Sequence, residues 1–76
     1  MIPLALVDNG EKVEVVDFAR KGRSIYCRLR DIGIFVGKVI EVLSNQGQGP
    51  ILLKIDDSRI AIGRGMAMKI LVRRIQ

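Results

Sequence analysis

Apolar and polar residues alternate along this chain with two different periods, and glycines mark where one period gives way to the other. From Glu11 to Phe18 the period is two, with Val13 and Val15 on one face and Glu14 and Val16 on the other, the pattern of a half-buried strand. Asp8-Asn9-Gly10 ahead of it is a turn signal. After the polar break Ala19-Arg20-Lys21-Gly22-Arg23 the period lengthens. Ile25, Leu29 and Ile32 stand at i, i+4 and i+7, one face of a helix for which Ser24 is the expected N-cap. Gly33 is placed for the left-handed position that ends a helix. So short a helix persists only by docking its apolar face on a sheet.

Phe35-Val36-Gly37-Lys38 predicts a type II turn, with glycine where φ must be positive. Two-fold alternation then returns in Lys38 to Ser44, with Ile40 and Val42 on one side. Asn45-Gln46-Gly47-Gln48-Gly49 reads as a flexible polar loop, and Pro50 stands at a strand entry, where it is tolerated. Ile51, Leu53 and Ile55 alternate with Leu52, Lys54 and Asp56. Asp56-Asp57-Ser58 reverses the chain, and Arg59 to Gly63 returns with Ile60 and Ile62 inward. Gly63-Arg64-Gly65 interrupts, Met66-Ala67-Met68 predicts one helical turn, and Ile70 to Ile75 is a last strand. The fold class is therefore mainly β. Five short strands in so small a chain are best satisfied by a closed or nearly closed barrel, which removes unpaired edges. A small SH3-like five-stranded barrel with one or two short helices is the first expectation. An OB-fold, which usually uses more residues, is the second.

The 76 residues allow one domain, 1–76, and the 49% hydrophobic content supplies a core. A net charge of +5 is concentrated in residues 37–76, which carry seven basic residues against three acidic. Such a surplus could favour nucleic acid or an anionic membrane surface, but a solvated barrel surface is the simpler reading. A single cysteine forms no intramolecular disulfide and suits a reducing compartment. The apolar start, Met1 to Val7, lacks a basic leader and is too short to span a bilayer, so a soluble, cytoplasmic protein is expected.

The candidate chemistry is sparse. Cys27 has no histidine to activate it and is expected to be a buried or half-buried structural residue. The chain cannot assemble a Cys/His zinc site. Asp56 and Asp57 are more simply a solvated turn than a cation site. Neither glycine pair, Gly63-Arg64-Gly65 or Gly47-Gln48-Gly49, has the lysine and helix of a phosphate-binding loop. One tyrosine and two phenylalanines are few for stacking bases, and Phe18 is expected in the core. Ile34-Phe35-Val36 is the one apolar run in a link between elements. It either plugs the barrel end or leaves one or two residues exposed for a partner, and aromatic and arginine anchors commonly dominate such contacts. The partner-binding set read this way is Tyr26, Arg28, Leu29, Ile34, Phe35 and Gly37, with no catalytic or metal-binding residue and no cofactor.

Leu4 and Leu6 followed by Gly10-Glu11, then Val13 and Val15, then Arg28-Leu29 with Ile32-Gly33-Ile34, Gly37 with Ile40 and Val42, Gly49-Pro50-Ile51, and Ala61 with Ala67, Ile70 and Val72 form an ordered series. In that order and spacing the chain resembles the ferrous iron transport protein A (FeoA) family over nearly its whole length. Val36 departs from the pattern, since many members have proline there and would hold the turn more rigidly. The resemblance implies an SH3-like barrel and a non-enzymatic, cytosolic accessory of a FeoB-type membrane iron transporter with a GTP-binding region. It implies docking on that transporter's cytoplasmic part and modulation of its conformation or assembly, without membrane insertion, without nucleic acid and with at most weak self-association. A stronger version has the protein activate the GTPase by inserting an arginine, with Arg28, Arg30 and Arg64 as candidates. The module is also similar to the C-terminal domain of iron- and manganese-dependent repressors, but no helix-turn-helix accompanies it here. A free-standing SH3-like nucleic-acid-binding or metal-sensing module is the alternative.

Overall fold

The computed structural model describes residues 1–19 and 23–75, and within the first helix the side chains from Tyr26 onward. Six strands form one antiparallel sheet: β1 (Ile2–Pro3), β2 (Lys12–Phe18), β3 (Val39–Ser44), β4 (Ile51–Ile55), β5 (Ser58–Ile62) and β6 (Ile70–Ile75). Their order across the sheet is β1-β6-β2-β3-β4-β5. Helix α1 (Arg23–Asp31) lies between β2 and β3, a short α2 (Arg64–Ala67) between β5 and β6, and a 3-10 turn covers Leu4–Leu6. The five expected strands are all present. The sixth, β1, pairs Ile2 and Pro3 with Val72 and Leu71. It is too short to show any alternation, which is why periodicity does not reveal it.

Every strand from β2 to β6 contributes fully or nearly fully buried side chains on one face: Val13 and Val15, Ile40 and Val42, Ile51, Leu53 and Ile55, Ile62, and Ile70 and Val72. One nine-residue helix cannot cover such a face. The sheet must curl around its own core, which fits overall dimensions of 29 × 24 × 24 Å. Leu4, Ala5, Val7 and Ala67 add to the buried cluster, and Leu29 and Ile34 seal it beside α1.

Strict alternation along β2 would turn Asp17 inward after Val15. The pairing with β6 instead skips a residue, Val15 facing Val72 and Asp17 facing Leu71. The extra residue, Val16, is a β-bulge that shifts the phase, so that Phe18 enters the core and Asp17 stays outside it. A second irregularity of the same kind lies between Val42 and Ser44 on β3.

Helix α1 starts at Arg23, and the side chain of the expected cap, Ser24, lies outside the described residues, as do Arg20, Lys21 and Gly22 of the polar break. The other end of the helix is fully defined. Gly33, at φ +95°, donates its N–H to the Arg30 carbonyl at 3.0 Å, and Ile34 donates to the Leu29 carbonyl at 2.8 Å. These two bonds are the Schellman arrangement, and its hydrophobic closure is the buried pair Leu29 and Ile34. The expected third member of the helical face, Ile32, is 39% exposed. The chain has left the helix by then, and the reversal at Gly33 delivers Ile34 to the core instead. Cys27 is also exposed, contrary to expectation, because it lies two residues, about 200°, around the helix from buried Leu29.

Candidate functional site at the helix–turn corner

The link from Ile34 to Lys38 divides its apolar residues between inside and outside. Ile34 is fully buried, whereas Phe35 is 41% and Val36 51% exposed. Backbone bonds fix this division. Lys38 donates to the Phe35 carbonyl at 3.0 Å, closing the expected turn, and Gly37 takes φ +95° at its third position. Gly37 also donates to the Val15 carbonyl at 2.8 Å, and Val15 donates to the Lys38 carbonyl at 2.9 Å, so the turn is pinned to β2.

Side chains then orient the aromatic groups. Lys38 Nζ lies 5.8 Å from the centroid of the Phe35 ring, within cation–π range. The same ammonium contacts both carboxylate oxygens of Asp56, at 2.7 and 2.8 Å. Asp56, itself at φ +56° in the β4–β5 turn, thus reaches the corner and holds the lysine over the ring. Tyr26 packs edge-to-face on Phe18, with ring centroids 5.2 Å apart and planes at 79°. Tyr26, Arg30, Phe35 and Val36 line a shallow open depression between α1 and the turn. A second shallow depression, on the other side of α1, is lined by Arg28, Leu29, Ile32, Ile62, Gly63 and Met66.

The structure therefore separates the six residues chosen from the sequence. Tyr26 and Phe35 come together, and Gly37 shapes the turn beside them. Arg28 lines the second depression. Leu29 and Ile34 are buried core side chains, Leu29 at the floor of the second depression, and the Schellman closure needs both of them inside. The sequence set omits Arg30 and Val36, which complete the first depression. The signals for them were present. Arg30 stands four residues after Tyr26 on one helix face, and the second residue of a type II turn projects at its corner.

Arg64, a third arginine considered from sequence, is committed elsewhere. Its guanidinium donates to the Ala5 carbonyl at 3.2 Å and to Asn45 Oδ1 at 2.7 Å. Asn45 Nδ2 in turn donates to the carbonyls of Ala5 and Val7, both at 2.8 Å. Asn45 is thereby fixed at the head of what the sequence suggests is a flexible loop. Arg28 and Arg30 make no ion pair among the described residues. Among those residues no three of His, Cys, Asp and Glu gather as a metal-binding group. No helix of the described residues is long and apolar enough to cross a membrane.

The model of the FeoA domain family matches residues 2–74. The chain belongs to the FeoA family. It is 43% identical over 72 residues to a Methanocaldococcus jannaschii protein named "Putative Fe(2+) transport protein A", an alignment covering 95% of this chain and 85% of that one. The crystal structure of an iron uptake regulatory protein (FeoA) superposes with a TM-score of 0.87 at 32% identity, covering 97% of this chain and 96% of that one. The mainly β, SH3-like expectation thus holds, with six strands rather than five. A manganese-dependent transcriptional repressor in complex with manganese also reaches a TM-score of 0.87, at 20% identity. Here the match covers 97% of this chain but 36% of the repressor, a likeness of fold alone.

Proposed function

We propose that this FeoA-family protein of the Feo ferrous iron transport system is a cytoplasmic, non-enzymatic accessory that docks on the GTP-binding cytoplasmic part of a FeoB-type transporter. The docking surface is the depression of Tyr26, Arg30, Phe35 and Val36. The observation that carries this reading is the combination of three exposed apolar side chains and an arginine without an acidic partner among the described residues, on a corner whose backbone is pinned on both sides. A prearranged aromatic and arginine cluster loses little conformational freedom on binding, which is what interface anchors require. Docking there modulates the transporter by favouring the conformation that accepts the corner.

The test is retention of the purified chain on the transporter's immobilised GTP-binding region and on the full-length transporter. Phe35→Ala and Arg30→Glu are expected to abolish retention while keeping the folded spectrum, and Arg73→Ala, on the exposed part of β6, to bind as the unaltered chain does. Retention of folded Phe35→Ala and Arg30→Glu at full strength would remove the corner from the interface. Failure of the unaltered chain to bind either bait, with salt-sensitive binding to RNA in its place, would sink the transporter reading altogether.

A further inference from the structure

β5 is one of the two outer strands of the sheet and, among the described residues, pairs with β4 alone. The two-residue loop Asp56-Asp57 sets the phase of that pairing, because the residues flanking such a loop, Ile55 and Ser58, form a hydrogen-bonded pair. Leu53 with Ile60, and Ile51 with Ile62, are then the next hydrogen-bonded pairs, and Lys54 with Arg59, and Leu52 with Ala61, fall between them. The backbone N–H and C=O of Arg59 and Ala61 therefore point away from β4, toward the free side. Both residues are exposed, and neither makes a backbone hydrogen bond outside the β4 pairing among the described residues. Ile60 and Ile62 turn inward on the same strand and hold it against the core.

The charge pattern on the outer face describes what this edge lacks. Register aligns Lys12, Glu41, Lys54 and Arg59 in one row across β2, β3, β4 and β5. Signs alternate from Lys12 to Lys54 and then repeat, leaving two cations directly opposite at the edge, an unfavourable arrangement. Neither Lys54 nor Arg59 has an ion-pair partner among the described residues. We propose that the β5 edge accepts an extended acidic segment of another protein as an added strand. The backbone groups of Arg59 and Ala61 supply the hydrogen bonds, and a carboxylate of the incoming segment faces Arg59. A second copy of β5 does not fit this description, since a two-fold pairing about Ile60 sets Arg59 against Ala61 and brings no carboxylate. The proposal is independent of the corner, none of whose lining residues lies on β5.

The test is backbone NMR and amide hydrogen exchange of the full chain with the capped peptide Thr-Val-Glu-Val-Thr, and with its counterpart carrying Lys in place of Glu. The Glu peptide is expected to slow exchange at the amides of Arg59 and Ala61 and to shift resonances of β4 and β5. The Lys peptide is expected to bind roughly fivefold more weakly. Arg59→Glu should reverse that preference. Ala61→Pro removes an N–H that faces solvent, so it should keep the β4 pairing and lose the peptide effect. Equal response to both peptides, or no protection of these two amides at saturating peptide, overturns the proposal. Concentration-dependent protection without peptide also overturns it, by giving the edge to a second copy, and so does self-association released in Arg59→Thr without any peptide response, by making Arg59 a guard of the edge rather than an anchor.

Discussion

Two parts of this molecule treat their polar groups in opposite ways. Around the N-terminal segment and β6 the chain pairs its polar groups internally, except for Arg64 Nε, which is buried without a partner among the described residues. Arg64 and Asn45 bridge the carbonyls of Ala5 and Val7, Arg73 donates to Glu14 at 2.7 Å, and Arg74 donates to Glu11 at 2.6 Å. At the α1 corner, Arg28 and Arg30 stand without acidic partners among the described residues, beside Tyr26, Ile32, Phe35 and Val36, all exposed. The first region uses its charges to complete the fold. The second leaves cations and apolar surface available while spending its backbone hydrogen bonds on rigidity. An arginine count alone does not tell these uses apart; the partners do.

The sharpest way to break the contrast is to remove the corner's buried support. Ile34→Ala should cost about 2–5 kcal/mol by urea denaturation, a large fraction of the stability of so small a chain. If it costs no more than an exposed substitution, the corner is not built on the core. Next in size is Gly33→Ala, which must adopt φ +95° and bring its Cβ to 3.3 Å from Ile55 Cγ2. A loss of about 1–2 kcal/mol is expected, read as a lower melting temperature. On the internally paired side, Asn45→Ala removes the shared partner of two carbonyls and the Arg64 guanidinium; because the Ala5 carbonyl keeps its Arg64 donor, a cost of about 1 kcal/mol is expected. A smaller effect there would mean that water replaces the amide.

Phe35→Ala sharpens the comparison from the other direction. It should change stability by no more than about 0.5 kcal/mol while removing retention on the transporter. The smallest effect concerns Glu11. Its carboxyl is held below the ordinary range chiefly by the Asp8 N–H, which donates to it at 2.8 Å, and further by Arg74. A depressed folded-state pKa contributes stability above the unfolded value and loses it as pH falls through the folded value. Glu11→Gln should therefore flatten the acid limb of a stability-against-pH curve and leave Phe35-dependent binding unchanged. An unaltered acid limb would show that these bonds do not persist in solution.

Most of the fold was legible because a curled sheet writes its inner face as a period of two. Val13, Val15, Ile40, Val42, Ile51, Leu53 and Ile55 all fall inside as alternation requires. Gly33 and Gly37 were legible for a different reason: each stands where φ must be positive. The site was legible only in part. A run such as Ile34-Phe35-Val36 carries no period, so sequence cannot say which member turns inward; the backbone bonds at Gly33 and Gly37 decide it. Helical spacing misplaced Ile32 because the helix ends one residue before it. Asn45 and Arg64 were invisible as a pair, since nothing local links residues 19 apart in sequence.

The bulge at Val16 bears on how this chain tolerates change in length. In most of a strand a lost residue slides the remainder by one place and exchanges the two faces. Here the reading frame of the faces is already shifted once, so that Val13, Val15 and Phe18 share the interior despite uneven spacing. Deleting Val16 would restore regular alternation with the pairing to β6 unchanged and Phe18 still inward, two places after Val15, so the ring on which Tyr26 rests would stay in place. A relative one residue shorter at this point would thus keep the same support for its helix, whereas an alignment that places its gap elsewhere in β2 would pair core positions with surface ones.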